Sequence, residues 1–147
     1  MNKSQTLLEA LEDLTWDNYV DVADGVTQFD KHQIDTELAR QASVYSYYQG
    51  LLSVAKKALD DANLELTKFT AQTRKDQKMS SFPKKLTAKD LDDIVESTPD
   101  FTVYTKSVND ASFKYTLLKG LVSALDHKKD MLVQLSSNRR AETNLYR

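Results

Sequence analysis

Apolar residues recur every seven positions along two long stretches of the chain. Leu38, Tyr45, Leu52, Leu59 and Leu66 form one repeat, and Tyr48, Ala55, Ala62 and Phe69 form a second that interleaves with it. Two such rows on one helix are the seam of a coiled coil. The spacing predicts a helix from Asp35 or Thr36, either of which can cap it, to about Met79. Ser80, Ser81, Phe82 and Pro83 end it, because Pro83 biases Phe82 away from helical geometry. Thr87 followed by Asp90 predicts a short helix through Glu96. Thr98-Pro99-Asp100 supplies a cap, a proline at the first helical position and an acid in the first turn. A last helix is therefore expected from Pro99 towards Leu145. Its rows are Phe101, Val108, Tyr115, Val122 and Tyr104, Ala111, Leu118, Leu125, Leu132.

Leu117, Leu121, Ala124, Met131 and Leu135 lie beside the second row and widen the apolar face. One partner helix covers a narrow seam, whereas a wider stripe needs further neighbours. The expected fold is all-α: a long antiparallel helical hairpin with a short connecting helix. It self-associates into a homo-oligomer through Leu117, Leu121, Val122, Leu125, Met131, Leu132 and Leu135. Ahead of residue 34 stands an arm, residues 1–33. Leu7, Leu8, Leu11 and Leu14 predict a short amphipathic helix in it, and the run VDVADGVTQFD around Gly25 reads as a connector. The domain reading is thus an acidic arm, 1–33, and a helical hairpin that carries the oligomerisation face, 34–147.

Composition agrees with long helices. Three Gly and two Pro in 147 residues are about 3%, where average usage gives roughly 12%. Multi-turn β folds need more of both. Pro83 and Pro99 bracket the connection between the long helices, while Gly50 and Gly120 fall inside them. Each interior glycine costs about 1 kcal/mol against alanine, and close helix approach in an oligomer would account for them. Cysteine is absent, which excludes disulfides and thiolate chemistry. No stretch approaches the roughly 18 apolar residues of a membrane span, and the acidic opening lacks the plain apolar core of a signal peptide. The expectation is a soluble intracellular protein.

The three glycines are too far apart for a phosphate loop or a dinucleotide fingerprint. With two histidines, His32 and His127, a zinc site would have to recruit carboxylates. A slender hairpin offers few pockets in which a carboxylate pair could be tuned for acid–base work. An enzyme, a metal and a cofactor are all excluded from the reading.

Charge points elsewhere. The formal net charge of −2 hides an arm with two lysines against seven acids. It also hides a segment, 74–89, with six basic residues against Asp76 alone. Such asymmetry is a hint of a polyanion partner. The candidate nucleic-acid-binding residues are Lys56, Lys57, Lys68, Arg74, Lys75, Lys78, Lys84 and Lys85. Single strands are held by cations along the backbone and by aromatic surfaces for the bases. Phe82 or Tyr47 could supply such a surface, although the turn position favours Phe82 as a hydrophobic plug. Tyr45 and Tyr48 match the seam and read as core.

The residues also carry a resemblance. The stretch from Ile34 to Phe69, with its Ile34-Asp35 start, Tyr45-Ser46-Tyr47-Tyr48 cluster and Lys56-Lys57 pair, resembles the UvsY-type recombination mediators of tailed phages. So do the basic end of the first long helix, Ser112-x-x-Tyr115, Ser123-Ala124-Leu125-Asp126, the Arg139-Arg140-Ala141-Glu142 finish and the leading LEALEDL. The likeness spans roughly residues 7–145. It implies a helical homo-oligomer, in some members a ring formed through the C-terminal helical region. Its partners would be single-stranded DNA, a RecA-like recombinase and single-strand-binding protein, in the cytoplasm of the infected host. The family's basic cluster falls on Arg74 and its neighbours, although Ala71 and Thr73 stand where members can carry cations. The alternative is a non-enzymatic coiled-coil scaffold or adaptor protein of a phage, which shares the helices and needs no DNA.

Overall fold

A computed structural model describes residues 6–145; the first five residues of the arm and the last two of the chain lie outside it. Every regular element among the described residues is an α-helix. In chain order these are α1 (Leu7–Asp13), α2 (Trp16–Thr27), α3 (Ile34–Ser80), α4 (Ala88–Ser97) and α5 (Pro99–Leu145). The all-α expectation holds, and the bounds of α3, α4 and α5 fall within two residues of those read from the seven-residue rows and caps.

Local chemistry explains the boundaries. Thr6, Thr15 and Thr87 each cap a helix: the hydroxyl accepts from the amide three residues on, and the side chain there accepts from the threonine amide. Thr98 both closes α4 and opens α5, its hydroxyl accepting from the Phe101 amide. At α4 the reciprocal partner is Asp90. Its carboxyl is held below the usual carboxylate range, chiefly by the Thr87 amide, then by the Thr87 hydroxyl and the charge of Lys84. A depressed folded-state pKa stabilises fully above the unfolded value and is lost as pH falls through the folded one. Amides at the start of α4 are therefore expected to lose hydrogen-exchange protection on acidification below the ordinary carboxylate range. In Asp90→Asn the same titration is expected to be flatter.

The arm departs from expectation. The segment read as a connector is helix α2. Its signal is present in the sequence: Tyr19, Val22, Ala23 and Val26 stand at i, i+3, i+4 and i+7 and are all partly buried. The stripe is weak because α2 buries no residue fully, and Gly25 within it draws attention to a turn that does not form.

The chain divides by its contacts into two units. The first comprises the chain up to Ala55 together with everything from Lys114 onward. The described part of the arm falls in this unit. Its core is Leu11, Leu14, Ile34, Leu51 and Ala55 with Leu118, Leu121, Val122, Leu125 and Leu132. Here α3 and α5 meet in opposite order: Glu37 pairs with Lys128, and the Gln41 amide donates to the Leu125 carbonyl at 2.8 Å. The deepest row on α3 is Ile34, Gln41 and Ala55, while Leu38, Tyr45 and Leu52 flank it half-buried. A bonded polar residue on an apolar seam fixes register, and Gln41 occupies that position. The Tyr45 hydroxyl lies 3.3 Å from Asp126 and accepts from Gln49, in keeping with a seam residue.

The second unit is Lys56–Phe113. It buries Leu91 and Val95 of α4, and Phe69 of α3 stacks on Tyr104 of α5 with ring centres 4.9 Å apart. Arg74 reaches Asp92 across it.

The two glycines inside α3 and α5 have neighbours within the chain. A β-carbon on Gly50 would lie 3.3 Å from Leu7 Cδ1, so the missing side chain seats α1. On Gly120 it would make ordinary contact with the Tyr19 hydroxyl at 3.8 Å. Gly120→Ala is therefore expected to raise stability by about 0.5–1 kcal/mol, the helix-propensity gain alone. Gly50→Ala is expected to gain less, because Leu7 must shift. Paired urea melts read both.

Candidate nucleic-acid interface

All eight cations proposed for nucleic-acid binding lie in the second unit, and the structure sorts them into two groups. Lys56 is 2.6 Å from Asp60, Lys57 pairs with Asp61, Lys68 is 2.9 Å from Glu65, and Arg74 pairs with Asp92. The first three pairs are local on α3, about one helical turn apart. Exposed pairs of this kind contribute about 0–1 kcal/mol to stability. Their effect on binding is larger in principle, since each carboxylate cancels the charge its partner would offer to a phosphate.

Lys75, Lys78, Lys84 and Lys85 are different. All four are exposed and none has a carboxylate within ion-pair distance among the described residues. Lys75, Lys78 and Met79 stand at i, i+3 and i+4 in the last turns of α3, hence on one face. The chain then turns, with the Ser81 amide donating to the Gln77 carbonyl and the Lys84 amide to the Ser81 carbonyl. Phe82 is on that turn with Lys84 and Lys85 directly after it.

Phe82 is 83% exposed and Met79 is 70% exposed. The expected plug is not formed. The turn is closed by backbone hydrogen bonds, from the Ser81 amide to Gln77 and from the Lys84 amide to Ser81, and the ring stands in solvent. An exposed aromatic beside exposed lysines is chemically able to meet a polyanion with stacked bases, ammonium groups facing phosphates and a π-face meeting a base. Tyr47, the other aromatic candidate, lies in the first unit. It packs edge-on against Tyr48 at 5.1 Å and lines a small cavity with Leu14, Asn18 and Val22 of the arm. Burial, with a smaller contribution from Tyr47, pushes the Tyr48 hydroxyl above the ordinary tyrosine range. Both rings serve packing there.

The residues assigned to self-association also divide. Leu121, Val122, Leu125 and Leu132 are buried within the single chain, Leu117 and Leu135 are half-buried, and Met131 alone is 52% exposed. The widened face of α5 does have further neighbours, and within the chain these are α1 and α2.

Among the described residues there is no group of three or more His, Cys, Asp or Glu arranged to hold a metal ion, and no helix long and apolar enough to cross a membrane. Compared with known protein families, characterised proteins and solved structures, the chain has no match.

Proposed function

We propose that this chain is a non-enzymatic recombination mediator of the UvsY type. It binds single-stranded DNA through the end of α3 and the following turn. It promotes loading of a RecA-like recombinase onto strands coated with single-strand-binding protein, in the cytoplasm of a phage-infected cell. In this reading α3 and α5 form the long antiparallel hairpin, α4 lies in its connection, and the working form is a closed homo-oligomer. The observation that carries the DNA-binding step is the exposed Phe82 flanked by Lys75, Lys78, Lys84 and Lys85, none of them within ion-pair distance of a carboxylate among the described residues. The recombinase-loading step rests on the sequence resemblance described above. Copies in an oligomer would repeat the cluster, and avidity would then exceed what one chain's few cations provide.

Fluorescence anisotropy of a labelled oligothymidylate, titrated with protein at low and moderate salt, tests the reading. Binding at low salt that weakens steeply with added salt is expected. Absence of binding at low salt refutes it and leaves the scaffold reading.

A further inference from the structure

We propose that the outward face of α2 is a docking surface for a basic segment of a partner protein, one that carries an apolar side chain between its cations. The inference goes beyond the DNA reading and stands on the arm alone.

The inward side of α2 is the half-buried stripe of Tyr19, Val22, Ala23 and Val26. At about 100° per residue, the opposite side carries Trp16, Val20, Asp24, Asp17 and Asp21, in that order around roughly 140° of the helix surface. All five are exposed. The two apolar residues form one edge of this face and the three carboxylates form the other. Trp16 is 60% exposed, and Val20, about one turn on, is 53% exposed. A lone exposed apolar residue is ordinary. A tryptophan with an apolar neighbour beside it and polar groups along the rim is the make-up of a contact hot spot.

Both ends of α2 are tied. Thr15 and Asn18 cap its first turn reciprocally. At the other end Lys128 of α5 donates to the carbonyls of Val26 and Gln28, both at 3.0 Å, and pairs with Glu37 of α3 at 3.0 Å. A helix already held in place presents its side chains to a partner with little further ordering cost.

Charge selects the occupant. Residues 4–30 contain no lysine, arginine or histidine. The cations that α5 sends to the arm bond main-chain carbonyls there: Lys128 as above, and Lys114 those of Leu11 and Glu12 at 2.7 and 3.2 Å. Asp17, Asp21 and Asp24 have no cation within ion-pair distance among the described residues. Three carboxylates along one edge repel phosphates, so neither a nucleic-acid strand nor an anionic lipid surface fits. A second copy of the same face is refused on the same ground. Asp17, Asp21 and Asp24 stand at i, i+4 and i+7 and span roughly 10 Å along the helix. Lysines or arginines at matching spacing, with an apolar side chain seated on Trp16 and Val20, satisfy both edges. The face thus selects a cationic amphipathic segment, whereas the lysines around Phe82 select an anion.

The test uses the full chain and a labelled synthetic peptide of leucine and lysine, with its leucines on one helical face. Trp16 is the chain's only tryptophan, so its emission reports the site directly. Saturable binding with a blue shift of that emission is expected. In the triple variant Asp17→Asn, Asp21→Asn, Asp24→Asn, peptide anisotropy is expected to show affinity lowered about tenfold or more. Trp16→Ala is expected to lower it by a similar factor, as truncation of a tryptophan hot spot does. An unshifted Trp16 emission in the parent overturns the proposal, whatever the variants do. Equal affinities in parent and variants overturn it as well, because the peptide would then sit elsewhere. The same emission shift produced by oligothymidylate, or by raising the protein concentration alone, assigns the face to a strand or to a second copy and also overturns it. Oligothymidylate anisotropy on the same samples reports the DNA reading separately. Its absence refutes that reading and leaves the docking face standing.

Discussion

Replacing Lys75, Lys78, Lys84 and Lys85 together by alanine is expected to remove most of the salt dependence of single-strand binding. Each cation that neutralises a phosphate of a single strand contributes about 0.7 to the slope of log affinity against log salt. Four such contacts contribute about 3, or a roughly 50-fold loss of affinity between 50 and 200 mM salt. The quadruple variant should therefore bind weakly and nearly independently of salt. Lys56→Ala with Lys57→Ala is the matched control. Those ammonium groups already face Asp60 and Asp61, so their removal should change the slope by much less. Anisotropy titrations at several salt concentrations read both slopes. Equal reductions in the two variants would show that the carboxylate pairs do not distinguish the clusters. Phe82→Ala should leave the slope intact and lower affinity uniformly, by the roughly 1–3 kcal/mol that a stacked base is worth.

Leu125→Ala is expected to destabilise the folded chain by about 3 kcal/mol or more, because deleting a fully buried leucine removes its transfer energy and leaves a cavity. Met131→Ala is expected to change stability by no more than about 0.5 kcal/mol, as an exposed substitution. The heptad pattern places both residues on one expected association face. Urea denaturation at low concentration, where folding is read rather than assembly, separates them. Comparable effects at the two positions would mean that Met131 is covered in the working form, or that Leu125 is not held within a single chain. The midpoint shift at fixed m-value is the relevant quantity.

These contrasts show which features the sequence carries plainly. The long helices are legible because seven-residue rows persist over many turns and because their ends carry specific chemistry, such as Thr87 with Asp90 and Thr98 with Pro99. Helix α2 is hard to see because its apolar positions are only half-covered and its N-terminal box uses Asn18 in place of the usual Glu or Gln. The arm also bears on Gly50 and Gly120, for which the sequence suggests only close helix approach in an oligomer. With α1 and α2 in position, both glycines face the arm.

The candidate site was legible as charge but not as geometry. Counting cations places Arg74 beside Lys75, yet Arg74 is occupied by Asp92, which is 18 positions away in sequence. Only tertiary structure tells an occupied cation from an available one. Phe82 illustrates the same limit. Apolar residues at turns are commonly buried, and composition gives no reason to expect this one in solvent. Its exposure is visible only in the folded chain, where Leu91 and Val95 of α4 are the buried apolar residues of the second unit and Phe82 is not among them.

The central claim is that the turn around Phe82 holds a single strand. Photocrosslinking of a 5-bromodeoxyuridine oligonucleotide to the full chain, followed by peptide mapping, tests it most directly. Adducts are predicted within residues 79–85, with Phe82 the principal site and with loss of the signal at high salt. Adducts confined to other segments, for example the arm around Trp16 or the Tyr47-Tyr48 pair, would contradict the account.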